Sequence, residues 1–179
     1  MKAMNLLLGL LAGALLLPLG TCGGDNMGVY VGGSMFNSVY GEPHHDHRST
    51  GLLGRLGYDL SRRFAVETHI GGAIGPEANA NSSVGEAQMD SVYSLFLRLN
   101  TYLGRNRLYA LGGLSYGTRL LTVGPNNVQV RNSDSTRSVG LGLELYGNRD
   151  ISFDFQLIRY FDTRYYTVDA FNVGLLTRF

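Results

Sequence analysis

Three histidines and an aspartate stand together in the first third of the sequence, as His44, His45, Asp46 and His47. Imidazole nitrogens and a carboxylate are ligands for zinc, copper or nickel ions. His44, His45 and His47 are therefore candidate metal ligands. Adjacent residues in a polar segment are not held in a fixed coordination geometry, however. A hydrophilic exposed loop is the competing interpretation, and the one we prefer.

A second set of residues with possible chemistry consists of charged side chains that alternate with apolar ones. Its members are Arg55, Glu67, Arg98, Glu144, Asp154 and Arg178. The two signs are equally represented, so the members can neutralise one another. Because an isolated charge is costly to remove from water, we expect them to pair if they share a buried space. Whether they share one depends on the elements that carry them.

The composition favours strands and excludes several classes of protein. Glycine supplies 25 of the 179 residues, and each glycine inside a helix costs about 1 kcal/mol relative to alanine, which argues against a helical bundle. A hydrophobic fraction of 44% is too high for a disordered chain. The formal charge of +1 argues against a nucleic-acid partner. We expect no cofactor.

Residues 1–24 have the pattern of a secretory signal peptide. Lys2 supplies the positive charge, and the apolar run over residues 6–19 is shorter than the ~20 residues that span a bilayer as a helix. We predict cleavage near residues 21–24. The segment that ends at Cys22 is similar to the lipobox of bacterial lipoproteins, although Thr21 departs from it. Lipidation of Cys22 and ordinary cleavage are the two alternatives.

Alternation of apolar and polar residues recurs through the rest of the chain and predicts strands. The segment 138–146 is the clearest example, with Val139, Leu141, Leu143 and Leu145 on one face. The predicted strands cover about 27–36, 50–60, 64–74, 88–99, 108–118, 136–146, 151–161 and 167–179. Short connections (61–63, 100–107, 147–150) alternate with mostly longer ones (37–49, 75–87, 119–135, 162–166).

An even number of strands with short turns at one end and long loops at the other is typical of outer-membrane barrels. One face of the predicted strands is apolar and the other carries the six charges. Hydrocarbon does not solvate charge, so the apolar face must meet lipid. We predict an all-β, eight-stranded antiparallel up-and-down transmembrane barrel over residues 25–179. Its lumen should be filled by ion pairs rather than open, since a barrel of this size leaves room only for side chains.

Arginines concentrate at the predicted short turns, as Arg62, Arg63, Arg105, Arg107 and Arg149. We interpret them as solvated charges. Contact with anionic lipid headgroups or peptidoglycan is the alternative.

Three segments carry a resemblance to a known family: residues 57–67, 108–114 and 173–179. Over about residues 26–179 the chain resembles the small OmpA/OmpX-like outer-membrane barrels. The end of the chain is similar to their C-terminal assembly signal, with Thr177 as a departure; its matching residues are Phe171, Val173, Gly174, Leu175 and Phe179. The resemblance implies the outer membrane of a Gram-negative bacterium. It also implies contact with outer-membrane lipids and lipopolysaccharide, the barrel-assembly machinery as a partner during biogenesis, and a monomer.

The expected role is non-enzymatic: envelope integrity, surface interaction or low-conductance permeation. One alternative is a lipid-modifying enzyme, because Asp90, Ser91 and a loop histidine resemble the residues of PagP palmitoyltransferases. Those enzymes hold an acyl chain in an apolar lumen, whereas the lumen predicted here is charged. The other alternative, a soluble periplasmic binder like a lipocalin, also requires an apolar lumen.

Overall fold

The computed structural model describes residues 28–42, 45–76, 87–123, 128–147, 150–162 and 167–179. The expected signal peptide with Cys22, and also His44 and Arg149, lie outside these ranges. The strands are β1 (Val29–Glu42), β2 (His45–Asp59), β3 (Phe64–Pro76), β4 (Ala87–Leu103), β5 (Asn106–Val123), β6 (Val128–Tyr146), β7 (Ile151–Asp162) and β8 (Thr167–Arg178). In this part of the chain there is no helix of the length and apolarity needed to cross a membrane.

The eight strands form one closed antiparallel barrel in sequence order. Each strand pairs with its neighbours in the chain, and β8 pairs with β1 from Arg178 opposite Tyr30 to Thr167 opposite Gly41. Closure removes the free edges that an open sheet would present. The predicted fold class is confirmed.

Several strands are longer than the sequence pattern predicted. Most of the predicted loop 37–49 belongs to β1 and β2, where Tyr40 pairs with His47. Much of the predicted loop 119–135 belongs to β5 and β6, where Thr118 pairs with Ser133. Residues 131–135 are all polar and residues 37–49 are largely so, and the backbone ladder continues where these residues interrupt the hydropathy alternation.

The turn between β4 and β5 is tighter than predicted. It occupies only residues 104–105, and Gly104 has a φ of 64°, a left-handed conformation that glycine adopts without steric cost. We call the end of the barrel that contains this turn and the β2–β3 turn the short-turn end.

The two faces of the barrel wall differ in burial as alternation requires. On β7, Ile151, Phe153 and Leu157 are exposed on the outside, while Ser152 and Asp154 between them are buried inside. The same contrast recurs around the barrel, so the outer wall is an apolar band.

The interior has two zones rather than one polar lumen. Toward the short-turn end it is filled by charged and aromatic side chains. Away from that end lies an apolar cluster of Phe36, Leu53, Val92, Phe96, Leu111, Ile158, Phe161, Val168 and Ala170, with Tyr109 and Tyr160 at its border. The buried, mutually hydrogen-bonded Ser94, Ser115 and Ser138 lie among these residues. This apolar zone departs from the prediction of a polar lumen throughout. The apolar residues occupy inner-face positions further along the strands, for example Leu53 two residues from Arg55 on β2 and Phe96 two residues from Arg98 on β4.

Candidate functional site

The charged zone of the lumen is the candidate site. Strands β2 to β8 each carry at least one charged side chain on the inner face near the short-turn end. We define the charged zone as Arg55, Asp59, Glu67, Arg98, Arg107, Glu144, Asp154 and Arg178; all but Arg178 are 4% exposed or less.

Glu67 of β3 is the central acceptor of the charged zone. Arg55 donates to its Oε1 from Nε at 2.9 Å and from Nη2 at 2.7 Å. Arg98 donates to Oε2 at 3.1 Å and the Tyr30 hydroxyl to the same oxygen at 2.6 Å. Charge-assisted hydrogen bonds of this kind are about twice as strong as neutral ones. The Glu67 carboxylate therefore joins side chains of β1, β2 and β4.

Two arginines carry the network across the lumen. Arg98 donates from Nη2 to Glu144 of β6 at 2.6 Å, while its Nε donates to Asn100 at 2.8 Å. Arg55 reaches Asp154 of β7. The guanidinium of Arg98 also lies 3.5 Å from the centre of the Tyr109 ring, at the distance of a cation–π contact. Strands that do not pair with one another are thus tied together through the interior.

Nearest the short-turn end, Asp59 and Glu144 hold two more arginines. Arg178 binds both oxygens of Glu144 and donates to Asp59 Oδ2 at 3.4 Å. Arg107 donates to both oxygens of Asp59 at 3.2 Å. The interpretation of Arg107 as a solvated turn charge is wrong, because β5 begins at Asn106 and Arg107 occupies an inner-face position of that strand.

Two tyrosines of the site lie against glycines of the neighbouring strand. Tyr30 pairs with Gly57 and Tyr109 with Gly142. A Cβ at Gly57 would lie 2.0 Å from the Tyr30 ring, and one at Gly142 would lie 2.2 Å from the Tyr109 ring. The rings therefore require glycine at both positions.

His69 marks the border between the two zones. Its Nε2 lies 2.5 Å from Glu67 Oε1 and its Nδ1 lies 2.9 Å from the Tyr160 hydroxyl. On the other side, its ring centre is 4.8 Å from that of Phe96 in the apolar cluster. Tyr30, Asp59, His69 and Tyr109 were not among the predicted site residues. The alternation places Asp59 on the face of Arg55 and His69 on the face of Glu67, so these two could have been predicted.

A barrel with an apolar exterior and a paired, charged interior agrees with the comparison to known families. The family model described as outer membrane protein beta-barrel domain matches residues 7–179. The chain belongs to this family. The protein accordingly resides in the outer membrane of a Gram-negative bacterium, where its apolar band faces lipid.

Solved structures with the same fold include three outer-membrane proteins. Ail of Yersinia pestis is 17% identical, with a TM-score of 0.62 over 86% of this chain and 100% of that one. Neisserial surface protein A is 13% identical, with a TM-score of 0.61 over 87% and 100%. OprG of Pseudomonas aeruginosa is 13% identical, with a TM-score of 0.60 over 87% and 98%. A comparison with curated proteins finds no match.

Other candidate residues of the outer-membrane barrel lie apart from the charged zone. His45 and His47 belong to β2 and not to a loop, opposite Glu42 and Tyr40 of β1. Within the described ranges, no three His, Cys, Asp or Glu side chains are grouped so that they could hold a metal ion. Asp90 and Ser91 lie in β4 beside a bulge between residues 89 and 91.

The C-terminal residues lie on β8, which closes the barrel, except Phe179, which directly follows the strand. Phe171, Val173, Leu175 and Phe179 are exposed on the outer wall. Gly174 lies on the inner face, where a Cβ would be 2.3 Å from the Gly33 carbonyl oxygen. Recognition of these residues by assembly machinery remains a prediction.

Proposed function

We propose that this barrel is closed and non-enzymatic, and that it acts in envelope integrity. The observation that supports this role is the cross-lumen network, in which Glu67, Arg98, Glu144 and Asp154 are fully buried. Breaking such a network by removing one partner leaves an uncompensated buried charge, at a cost of about 3–5 kcal/mol. Strands that are linked by ion pairs across a filled lumen favour a rigid structural barrel over an open pore.

The apolar zone argues against the lipid-modifying alternative. An acyltransferase needs an apolar cavity for its substrate chain, but here the zone is occupied by its own side chains, with Phe36, Phe96 and Val92 no more than 1% exposed. The exposed apolar band argues against a soluble periplasmic binder, because an apolar surface of this extent is normally covered by lipid or by another protein.

A deletion strain tests the envelope role. Cells that lack the protein should take up a large hydrophilic antibiotic or a detergent more readily, and the wild-type gene should restore the barrier. The Asp90→Ala/Ser91→Ala variant should restore it equally, because these residues lie outside the charged zone. Failure of that variant despite normal folding would favour the enzyme, and an unaltered barrier in the deletion strain would contradict the proposal.

Conductance measurements test the closure. In planar bilayers the purified wild-type barrel should show no sustained channel current. Glu67→Ala, which removes the central acceptor, should give open events in the same preparation, while Asp150→Ala at an exposed turn should stay silent. Sustained current through the wild-type barrel would favour the permeation role instead.

The β5–β6 hairpin favours surface contact as a second role. β5 has 18 residues and β6 has 19, whereas about 9–11 residues cross an outer membrane. The hairpin therefore extends beyond the apolar band on the side away from the short-turn end, which is the extracellular side in this class of barrel. Its sequence between residues 117 and 137 contains Arg119, Arg131 and Arg137 against Asp134.

A cationic hairpin suits sulfated polysaccharide, and the structurally similar Ail has been crystallised with the heparin analogue sucrose octasulfate. Cells that display the wild-type barrel should adhere to immobilised heparin more than cells with Arg119→Ala/Arg131→Ala. Cells with Arg62→Ala/Arg63→Ala, altered at the opposite end, provide the matched control. Equal adherence of all three would exclude this contact.

A further inference from the structure

An apolar groove of about 770 Å³ lies on the outer wall of the barrel, over β6, β7, β8 and β1. Its outward-facing side chains include Val139, Leu141, Leu157 and Phe171. Ala110 of β5, which has a small side chain, also lines the groove. Because this wall faces lipid, the groove is in contact with membrane lipid rather than water.

A row of charged side chains follows one edge of the groove. Arg159 of β7 donates to Asp169 of β8 from Nε at 2.7 Å and from Nη2 at 2.9 Å. Asp169 is opposite Val39 of β1, and Val39 is opposite Arg48 of β2. On the other side, Arg159 is opposite Val139 of β6, and Arg137 lies two residues further along the outer face of that strand. Arg48, Arg137 and Arg159 are exposed, and so is Asp162, whose charge acts on Arg159. The rim therefore carries three positive charges and two negative.

The cost of placing charges in lipid, together with the residues next to the rim, shows how deep in the membrane the rim lies. A charge on the lipid face costs about 2–4 kcal/mol at the bilayer midplane but about 0–1 kcal/mol near the interface. The next outward residues toward the short-turn end are Leu157 on β7 and Phe171 on β8, both exposed and apolar. The rim therefore lies at the headgroup level of the leaflet away from the short-turn end, directly above the groove.

We propose that the rim and the groove together bind the phosphorylated glycolipid of the outer leaflet, the lipid A part of lipopolysaccharide. Arg137 and Arg159 hold a phosphate group, and an acyl chain lies along the groove over Leu157 and Phe171. A guanidinium has five N–H donors, so Arg159 can donate to a phosphate oxygen from Nη1 while Nε and Nη2 contact Asp169, and Arg137 can bind phosphate oxygens in a bidentate geometry. Asp169 orients Arg159, and the rim as a whole keeps a net charge of +1. This lipid site lies on the outer wall. The proposal therefore depends on the location of the barrel in the membrane and not on the closure of its lumen.

Native mass spectrometry of the full-length protein in detergent tests the phosphate contact. Titration with bisphosphorylated lipid A should give a saturable one-to-one complex. The Arg137→Ala/Arg159→Ala variant should bind about tenfold more weakly, the loss expected for charge-assisted contacts. Arg62→Ala/Arg63→Ala removes the same charge at the short-turn end and should bind as the wild type does. Equal weakening of both variants would overturn the proposal.

The choice of lipid tests the partner. Lipid A without phosphate groups and phosphatidylglycerol should each bind at least several times more weakly than bisphosphorylated lipid A. Equal binding of dephosphorylated lipid A would overturn the phosphate contact, and equal binding of phosphatidylglycerol would overturn the assignment to lipid A.

A third variant tests the groove without changing charge. Ala110→Phe fills the depression and should weaken lipid A binding severalfold, whereas Leu108→Phe, outward on the same strand but outside the groove, should not. An unchanged affinity of Ala110→Phe would overturn the acyl-chain contact. Each variant is compared only after its folded barrel shows wild-type gel mobility. The conductance of the barrel should stay unchanged in all of them, which separates this proposal from that of the closed lumen.

Discussion

Glu67 accepts hydrogen bonds from side chains of β1, β2, β4 and β7, so a change at this carboxylate should destabilise the barrel strongly. Glu67→Gln leaves Arg55 and Arg98 short of a negative charge in a site with no exposure. We expect a loss of about 3–5 kcal/mol in unfolding free energy. Since the chain has no tryptophan, the folded fraction is best followed by gel mobility across a urea series in lipid vesicles.

The matched control is Asp150→Asn, which removes a carboxylate at an exposed position. It should change the unfolding free energy by less than about 0.5 kcal/mol. If Glu67→Gln were as stable as this control, the network would contribute little to the fold.

Steric contact at the Tyr30–Gly57 pair gives a second prediction at the residue scale. Gly57→Ala places a Cβ inside the Tyr30 ring, which must move away from Glu67. Overpacking of this kind costs about 1–3 kcal/mol. Gly54→Ala on the same strand meets only a carbonyl oxygen at 3.6 Å and should fold with nearly wild-type stability. The same urea series distinguishes the two, and equal stabilities would show that the ring has room to shift.

At the scale of elements, β8 carries the closing contacts and the proposed assembly signal. Phe179 is 80% exposed on the outer wall, and its backbone N–H donates to the Val29 carbonyl oxygen at 3.0 Å. Phe179→Ala keeps this backbone bond but removes the aromatic ring. We expect severalfold less folded barrel in the outer membrane of cells, with unchanged refolding of the purified chain into detergent. The measurement is the ratio of heat-modifiable protein in membrane fractions.

Ile151→Ala is the control for lost contact with lipid, because Ile151 is an exposed apolar residue at the same end of the neighbouring strand. It should leave the amount of folded protein in cells near that of the wild type. A similar decrease for both variants would mean that lipid contact, and not recognition during assembly, explains the effect of Phe179.

At the scale of the whole molecule, closure and cross-lumen ties should make the barrel persist in SDS. Contacts between β1 and β8 join the two ends of the described chain, so strands cannot peel from an edge. We expect the unboiled protein to migrate faster than the boiled protein on a gel. A single mobility with and without boiling would contradict a closed barrel.

The sequence by itself determined the class of fold and the two faces of the wall. Alternation is a local property, because successive side chains of a strand point to opposite sides whatever the partner strand is. It therefore indicates that residues such as Arg55 and Glu67 share a face, and that Leu157 and Phe171 lie on the opposite one. It also predicts strands only where hydropathy alternates without interruption, which is why the ends of β5 and β6, separated from the clear alternation by polar residues such as 131–135, were missed.

The tertiary structure alone decided which charges meet and where the interior changes character. Arg55 and Asp154 are 99 residues apart in the chain and meet only because closure brings β2 and β7 to opposite sides of one narrow lumen. The same closure puts Arg107 inside rather than in a turn, and gathers Phe36 and Phe96 into the apolar zone. Those contacts depend on register and on the curvature of a closed sheet, and neither is encoded in the alternation of a single strand.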